Sequence, residues 1–222
     1  MVKLTILYDN LAEEGFHGAW GFSCLIETGE KTILFDTGWD GLLLLDNMSK
    51  LGISAMDIDT LVLSHQHWDH IGGVATFLNA NPDVDIYVPF SFSPRLKQEM
   101  SNLISANLLH EVKGSQEVCS GVHSTGELGD DIKEQSLLID SDKGVCVICG
   151  CAHPGLAAIL DRALDLGEPV AIIGGLHGSE EYGLLSSLHL IGAGHCTVHK
   201  DKIRALYPET FADISVGYTL EL

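Results

Sequence analysis

The chain has 222 residues, 45% of them hydrophobic and 19% charged, which supplies a packed core and excludes a disordered polyelectrolyte. Acidic residues number 31 against 12 basic, a formal net charge of −19, which argues against a nucleic-acid backbone or an anionic membrane surface as partner. No apolar run reaches the ~20 residues of a membrane helix, and Asp9 arrives too early for a signal peptide, so a cytoplasmic protein with six reduced cysteines is expected.

Residues 2–8 read as a strand, and 22–27 with 32–35 as a hairpin about Gly29. Asp40 has the side chain of an N-cap and opens a helix that ends near Gly52. A short apolar strand follows at 60–64, a helix from His70 to about residue 78, a strand at 84–88 and helical spacing over 94–104. In the second half, strands at 136–139 and 145–148 flank the turn Ser141-Asp142-Lys143-Gly144. Pro154, at a first helical position, opens a helix through Leu166 that Gly167 closes. A strand at 170–173, a helix at 200–206 with Pro208 beyond it, and a closing strand at 214–222 complete the order. No linker, charge block or repeat interrupts it, so one domain over 1–222 is expected. Hairpins at the start of each half, then strand–helix alternation, predict an α+β, mixed α/β architecture: a four-layer αββα sandwich of two mixed sheets with helices outside.

Histidine is the unusual count, at 11. The decisive segment is Ser64-His65-Gln66-His67-Trp68-Asp69-His70, directly after a strand. His65 and His67 are two apart, so in extended chain they point the same way and can share one divalent ion. Asp69 and His70 turn into the next helix and can hold a second ion nearby, an arrangement known for hydrolysis. His153 stands between a strand and a helix, a common ligand position at a sheet edge. The bland alternative for this segment is a polar loop of hydrogen-bonded histidines.

His-x-His-x-Asp-His after a strand, preceded by Leu34-Phe35-Asp36-Thr37-Gly38, resembles the metallo-β-lactamase superfamily over nearly the whole chain. The resemblance implies the αββα sandwich, with the site at the mouth between the sheets and mostly hydrolytic chemistry. Gly150-Cys151-Ala152-His153-Pro154-Gly155, Gly174-Gly175-Leu176-His177 and His195-Cys196-Thr197 are similar to the archaeal dihydropterin–ribofuranosylaminobenzene phosphate synthase branch, as is the closing Val216-Gly217-Tyr218. The resemblance implies His195 as the terminal metal ligand, and Asp36 as a residue that holds the histidine loop by hydrogen bonds without touching metal. The pattern also departs from the common hydrolase form. Glu127 stands where a third-motif histidine is usual, and Cys151 where a bridging aspartate is usual.

The expected ligands are therefore His65, His67 and His153 for one ion, and Asp69, His70 and His195 for the other. Glu127, His177 and Cys151 are further candidate site contacts, with Cys196 beside them as a soft donor. His177 is open between ligand, substrate contact and plain loop residue. Cys146 and Cys149 read as small hydrophobes in a buried strand. Trp20, Trp39 and Trp68 either wall a substrate pocket or pack at its rim. The expected cofactors are two divalent ions, zinc first, with iron and manganese open. The expected function is a metal-dependent hydrolase acting on an ester, lactone, thioester, amide or phosphoester of a small molecule through metal-bound hydroxide, with Asp69 orienting the attacking water. A synthase acting on a pterin-type phosphorylated substrate is the alternative, and a diiron redox protein a third. Sequence leaves the oligomeric state open.

Overall fold

A computed structural model describes residues 2–222. The first half runs β1 (Lys3–Tyr8), β2 (Ser23–Glu27), β3 (Thr32–Phe35), α1 (Gly41–Lys50), β4 (Thr60–Val62), α2 (Trp68–Ile71), α3 (Val74–Ala80), β5 (Asp85–Pro89), α4 (Pro94–Ser101) and β6 (Leu109–Val112). The second half runs β7 (Gln116–Cys119), β8 (Val122–Ser124), β9 (Leu137–Ser141), β10 (Gly144–Cys149), α5 (Leu156–Leu164), β11 (Pro169–Gly175), β12 (Leu190–Gly194), α6 (Lys200–Leu206) and β13 (Phe211–Ala212), and β14 (Thr219–Glu221) returns to the first sheet. The strands form two seven-stranded mixed sheets, ordered β14-β1-β2-β3-β4-β5-β6 and β13-β12-β11-β10-β9-β8-β7.

Strand periodicity builds the layers. Ile33 and Phe35 of β3 join Cys146 and Ile148 of β10 in the core between the sheets. Leu34, between them in sequence, faces the other way into a cluster with Leu44 of α1 and Phe77 of α3. On the second sheet Val147 and Ile172 turn outward to Ile159 of α5 and Ile203 of α6. Two sheets with a helix layer outside each make the αββα sandwich expected from sequence. Among the described residues, no helix is long and apolar enough to cross a membrane.

Asp40 caps α1 as anticipated, its Oδ1 accepting the N–H of Leu42 at 2.8 Å and of Leu43 at 3.3 Å. Other boundaries differ. The helix expected from His70 to 78 is two helices, with His70 already inside α2 and a break at Gly72–Gly73. A side chain at Gly73 would lie 2.5 Å from the Thr37 carbonyl, so this junction packs backbone against backbone. Pro154 does not open α5. Gly155 is the N-cap, at φ +90°, and the free Leu156 N–H goes to Glu181 Oε2 at 2.9 Å. The helix expected over 94–104 stops at Ser101, and the closing strand shortens to β14. Strands β6, β7, β8, β12 and β13 have no counterpart among the expected elements; β7 and β13 are short and only partly buried.

Candidate metal centre

The site gathers at the C-terminal ends of β1, β3, β4, β10, β11 and β12, where the chain leaves both sheets on the same side. Four loop residues there hold left-handed backbone: Asp36 (φ 59°), Ala152 (54°), His177 (45°) and His195 (44°). A non-glycine residue in this region is strained unless its surroundings fix it, and such strain concentrates at functional loops.

Past β4 the chain passes through Ser64 and buried His65 before His67 opens α2. Asp36 organises this turn. Its Oδ1 accepts the Ser64 N–H at 2.7 Å, and its Oδ2 accepts the Ser64 hydroxyl at 2.7 Å. His70 Nδ1 lies 2.7 Å from the same Oδ2. A carboxylate only accepts, so His70 carries its proton on Nδ1 and turns a bare Nε2 inward, 3.1 Å from Cys151 Sγ. The Ser64 hydroxyl, having donated to Asp36, accepts from His65 Nδ1 at 2.9 Å, which leaves His65 Nε2 bare as well. Asn10 does the same for His195. Its Nδ2 donates to the His195 carbonyl at 2.9 Å, so its Oδ1 is the acceptor 3.3 Å from His195 Nδ1. Asp9 fixes the His195 backbone by accepting its N–H at 2.8 Å. Three imidazoles from two segments, His65 and His70 after β4 and His195 after β12, are thus set in one tautomer, Nε2 toward a common centre.

Four groups of donor atoms lie within 4.8 Å of one another there: His65, His67 and His153; Asp69, His70 and His195; His65, His70 and Cys151; and Cys151, His195 and Cys196. The first two are the triads the sequence reading paired. Cys151 and Cys196 add two thiols, Sγ to Sγ 3.2 Å. Buried Nε2 of His153 and of His195 have no hydrogen-bond partner, although Asp69 Oδ2 lies 3.2 Å from the latter without the angle of a hydrogen bond. Bare, buried imidazole nitrogens are costly in a protein interior and are the form that binds a cation. The donor set therefore fits divalent metal: neutral imidazoles, one carboxylate and two sulfurs suit zinc or iron.

Charge follows the same lines. Burial, with the neighbouring rings of His70, His153 and His67, holds His65 well below the ordinary imidazole range. Burial also lowers His67 and His195, and with His67 and His177 nearby it takes His153 to about 4. Burial pulls His70 down, but the carboxylates of Asp36, Asp69 and Glu134 together outweigh it and His70 moves up. Burial works against an ionised Asp69, yet contact with His195 and His70 wins and holds it well below the usual carboxylate range. Within the thiol pair, the first to ionise is held by the other's S–H, and the second is pushed up by burial and by its charged partner.

The remaining candidates sit apart from the donors. His177 is exposed, its ring 4.9 Å from that of His153 at the edge of the cluster. Glu127 joins none of the donor groups; its Oε1 accepts the Ser91 N–H at 2.6 Å. Cys146 and Cys149 are buried in β10, as their strand pattern implied. Glu134 carries no local signature: it is a fully enclosed carboxylate whose Oε1 accepts the N–H groups of Gly150, Cys151 and Ala152 and whose Oε2 accepts that of His153. Ser64, Asp9 and Asn10 likewise carry no local signature, although each lies just past a strand end. Trp20 Nε1 donates to Asp69 Oδ2 at 2.8 Å, and its ring lies 5.0 Å from that of His195.

Comparison with known proteins agrees with this geometry. The family model of the metallo-beta-lactamase superfamily matches residues 21–152. A 7,8-dihydropterin-6-methyl-4-(beta-D-ribofuranosyl)-aminobenzene-5'-phosphate synthase of Methanocaldococcus jannaschii is 25% identical, over 90% of this chain and 88% of that protein. Among solved structures, Tm1679, a metal-dependent hydrolase of the beta-lactamase superfamily, superposes with a TM-score of 0.79 at 20% identity, covering 100% of this chain and 99% of the other. A diphosphatase of the PhnP family gives 0.64 at 13% identity, covering 100% and 98%. The chain belongs to the metallo-β-lactamase superfamily.

Proposed function

We propose that the protein is a metal-dependent hydrolase of small-molecule substrates that holds two divalent ions. The observation that carries the reading is the common orientation of His65, His70 and His195, each fixed as an Nδ1–H donor with Nε2 facing the same centre. His65, His67 and His153 would hold one ion, and Asp69, His70 and His195 the other, with Cys151 and Cys196 as thiol donors beside the second. Zinc suits this set best, with iron and manganese as the other choices. When bound, such ions supply Lewis-acid stabilisation of developing negative charge and make water acidic enough to attack near neutral pH.

The chain's own residues do the positioning. Asp69, kept ionised, would orient the attacking water by accepting its hydrogen bond, while the Trp20 N–H fixes one of its oxygens. Asp36 holds His70 and, through Ser64, His65, so neither ring can turn during the reaction. The scissile group would be an ester, lactone, thioester, amide or phosphoester. The net charge of −19 supports a small molecule over a nucleic acid or membrane as partner. A reducing, cytoplasmic setting, in which the six cysteines stay thiols, belongs to the same reading.

The similarity to the M. jannaschii synthase favours a second reading, a synthase acting on a pterin-type phosphorylated substrate. One panel separates them. Purified metal-loaded protein is assayed on carboxylic esters, lactones, thioesters, amides and phosphoesters, beside the same protein after chelation. Metal-dependent hydrolysis of at least one class is expected. A fully metal-loaded protein that hydrolyses none of them would overturn the hydrolase reading and leave the synthase reading ahead.

A further inference from the structure

Most large apolar side chains of this molecule are packed into three clusters, yet Trp20 and Trp39 keep 55% and 58% of their surface exposed. Both line one cavity of about 550 Å³, together with Tyr8, Ala19, Asp40 and Leu43. Ligand cavities commonly span roughly 300–1,000 Å³, so this one has room for a bicyclic aromatic ring or a medium acyl chain. Its wall is mainly apolar and aromatic, and no lysine, arginine or histidine lines it. Asp40, its one charged residue, already spends Oδ1 on the first turn of α1.

The cavity also adjoins the donor cluster. Trp20 forms its wall and at the same time donates Nε1–H to Asp69 Oδ2 and lies against His195. The backbone is thin here: a side chain at Gly21 would meet the Asp69 carbonyl at 2.6 Å and the Trp39 N–H at 2.9 Å. Trp20 therefore stands between the two, lining the recess with one part of its side chain and touching Asp69 and His195 of the donor cluster with another.

We propose that the Trp20–Trp39 cavity is the subsite for an uncharged apolar arm of the substrate, aromatic or acyl, whose scissile bond lies at the adjoining donor cluster. The assignment rests on the hydrolase reading and gives it a substrate class. Ring faces and aliphatic walls recognise such an arm through apolar contact and stacking. An anionic arm would be placed beside the Asp40 carboxylate with no cation to offset either charge. Trp20 then acts as a positioning residue as well as a wall, because its N–H orients Asp69.

The test uses 2-naphthol as an uncharged bicyclic probe and naphthalene-2-sulfonate as its anionic counterpart, titrated by calorimetry into the purified metal-containing protein. Saturable 2-naphthol binding is expected, with the sulfonate at least fivefold weaker. Trp39→Ala should weaken 2-naphthol at least fivefold, and Ala19→Leu, which fills the recess from another wall, should do the same. Trp20→Phe keeps a ring in the wall but removes the N–H, so it should change 2-naphthol affinity less than twofold while lowering retained metal. On any panel substrate that turns over, 2-naphthol should inhibit competitively. No saturable binding, binding unmoved by both Trp39→Ala and Ala19→Leu, equal binding of the sulfonate, or non-competitive inhibition would each overturn the assignment. Failure of every panel substrate would instead overturn the hydrolase reading, and the titrations would still decide the cavity.

Discussion

The carboxylate of Glu134 closes on the backbone of His153, accepting its N–H at 3.0 Å while its other oxygen takes the N–H groups of residues 150–152 at 2.9–3.1 Å. One enclosed side chain thereby shapes the whole loop that carries Cys151 and His153, including the left-handed turn at Ala152. Burial raises the pKa of Glu134, and the N–H groups of His153, Cys151 and Ala152, with the nearby His70 ring, work against that rise.

Glu134→Gln tests the clamp. It keeps the volume but turns an amide N–H₂ toward backbone donors, leaving at least one of them unsatisfied. Hydrogen bonds to a charged acceptor are worth about 1.5–3 kcal/mol each, so a loss of about 2–4 kcal/mol in urea unfolding is expected. Retained metal, read by elemental analysis, should fall with it. A variant within about 0.5 kcal/mol of the parent would show that other contacts hold the loop.

Asp36→Asn isolates the control of tautomer. Asparagine tolerates the left-handed backbone that Asp36 occupies, so the fold should survive. It can still accept one hydrogen bond, but it cannot serve Ser64 and His70 as a carboxylate does. Metal affinity is expected to drop 10–100-fold by competition with a chromophoric chelator. An unchanged affinity would remove Asp36 from any role in orienting His70 and His65.

How far the sequence could be read follows from locality. The His65–His70 string, Asp36, His153, Cys151 and His195 each sit in a short segment whose spacing and strand context can be recognised without knowing the fold. The layers were legible for the same reason, since Ile33, Leu34 and Phe35 alternate as a buried strand must. Glu134 was not, because its partners are backbone N–H groups 16–19 residues away, and backbone leaves no mark in sequence. Asn10 meets His195 across 185 residues and is equally silent. Glu127 looked like a site residue from its slot, yet its carboxylate goes to Ser91, a contact no local pattern could exclude. Pro154 was a reasonable helix opener, but Gly155 with Glu181 as the external acceptor took the cap.

The imidazole cluster sets a pH dependence for the metal-free protein. His65, His67, His153 and His195 are all lowered from the ordinary 6.5, His153 to about 4, chiefly by burial. Below 6.5 the unfolded chain binds protons that these folded rings refuse, so their contribution to stability falls as pH drops toward their folded values. His70 runs the other way, since its raised pKa stabilises fully below 6.5 and that gain is lost as pH rises through its folded value. Asp69, lowered from 3.8, stabilises above that value and loses its contribution as pH falls below it. The four lowered rings outnumber the groups that work the other way, His70 and the raised carboxyls of Asp9 and Glu134, so a melting temperature lower at pH 5 than at pH 7, by on the order of 5 °C, is expected. Calorimetry of chelated protein across pH 4.5–7.5 reads this directly. A melting temperature that rises on acidification would contradict the assigned protonation states.

The central claim is that two triads from loops far apart in sequence hold two separate ions. Native mass spectrometry of protein reconstituted with excess zinc and then desalted measures it directly, on the parent, His67→Ala, His195→Ala and the double variant. Two ions are expected on the parent, one on each single variant and none on the double. One ion on the parent, or one ion surviving in the double variant, would contradict it, since both lesions would then act on a single ion or the donors would lie elsewhere.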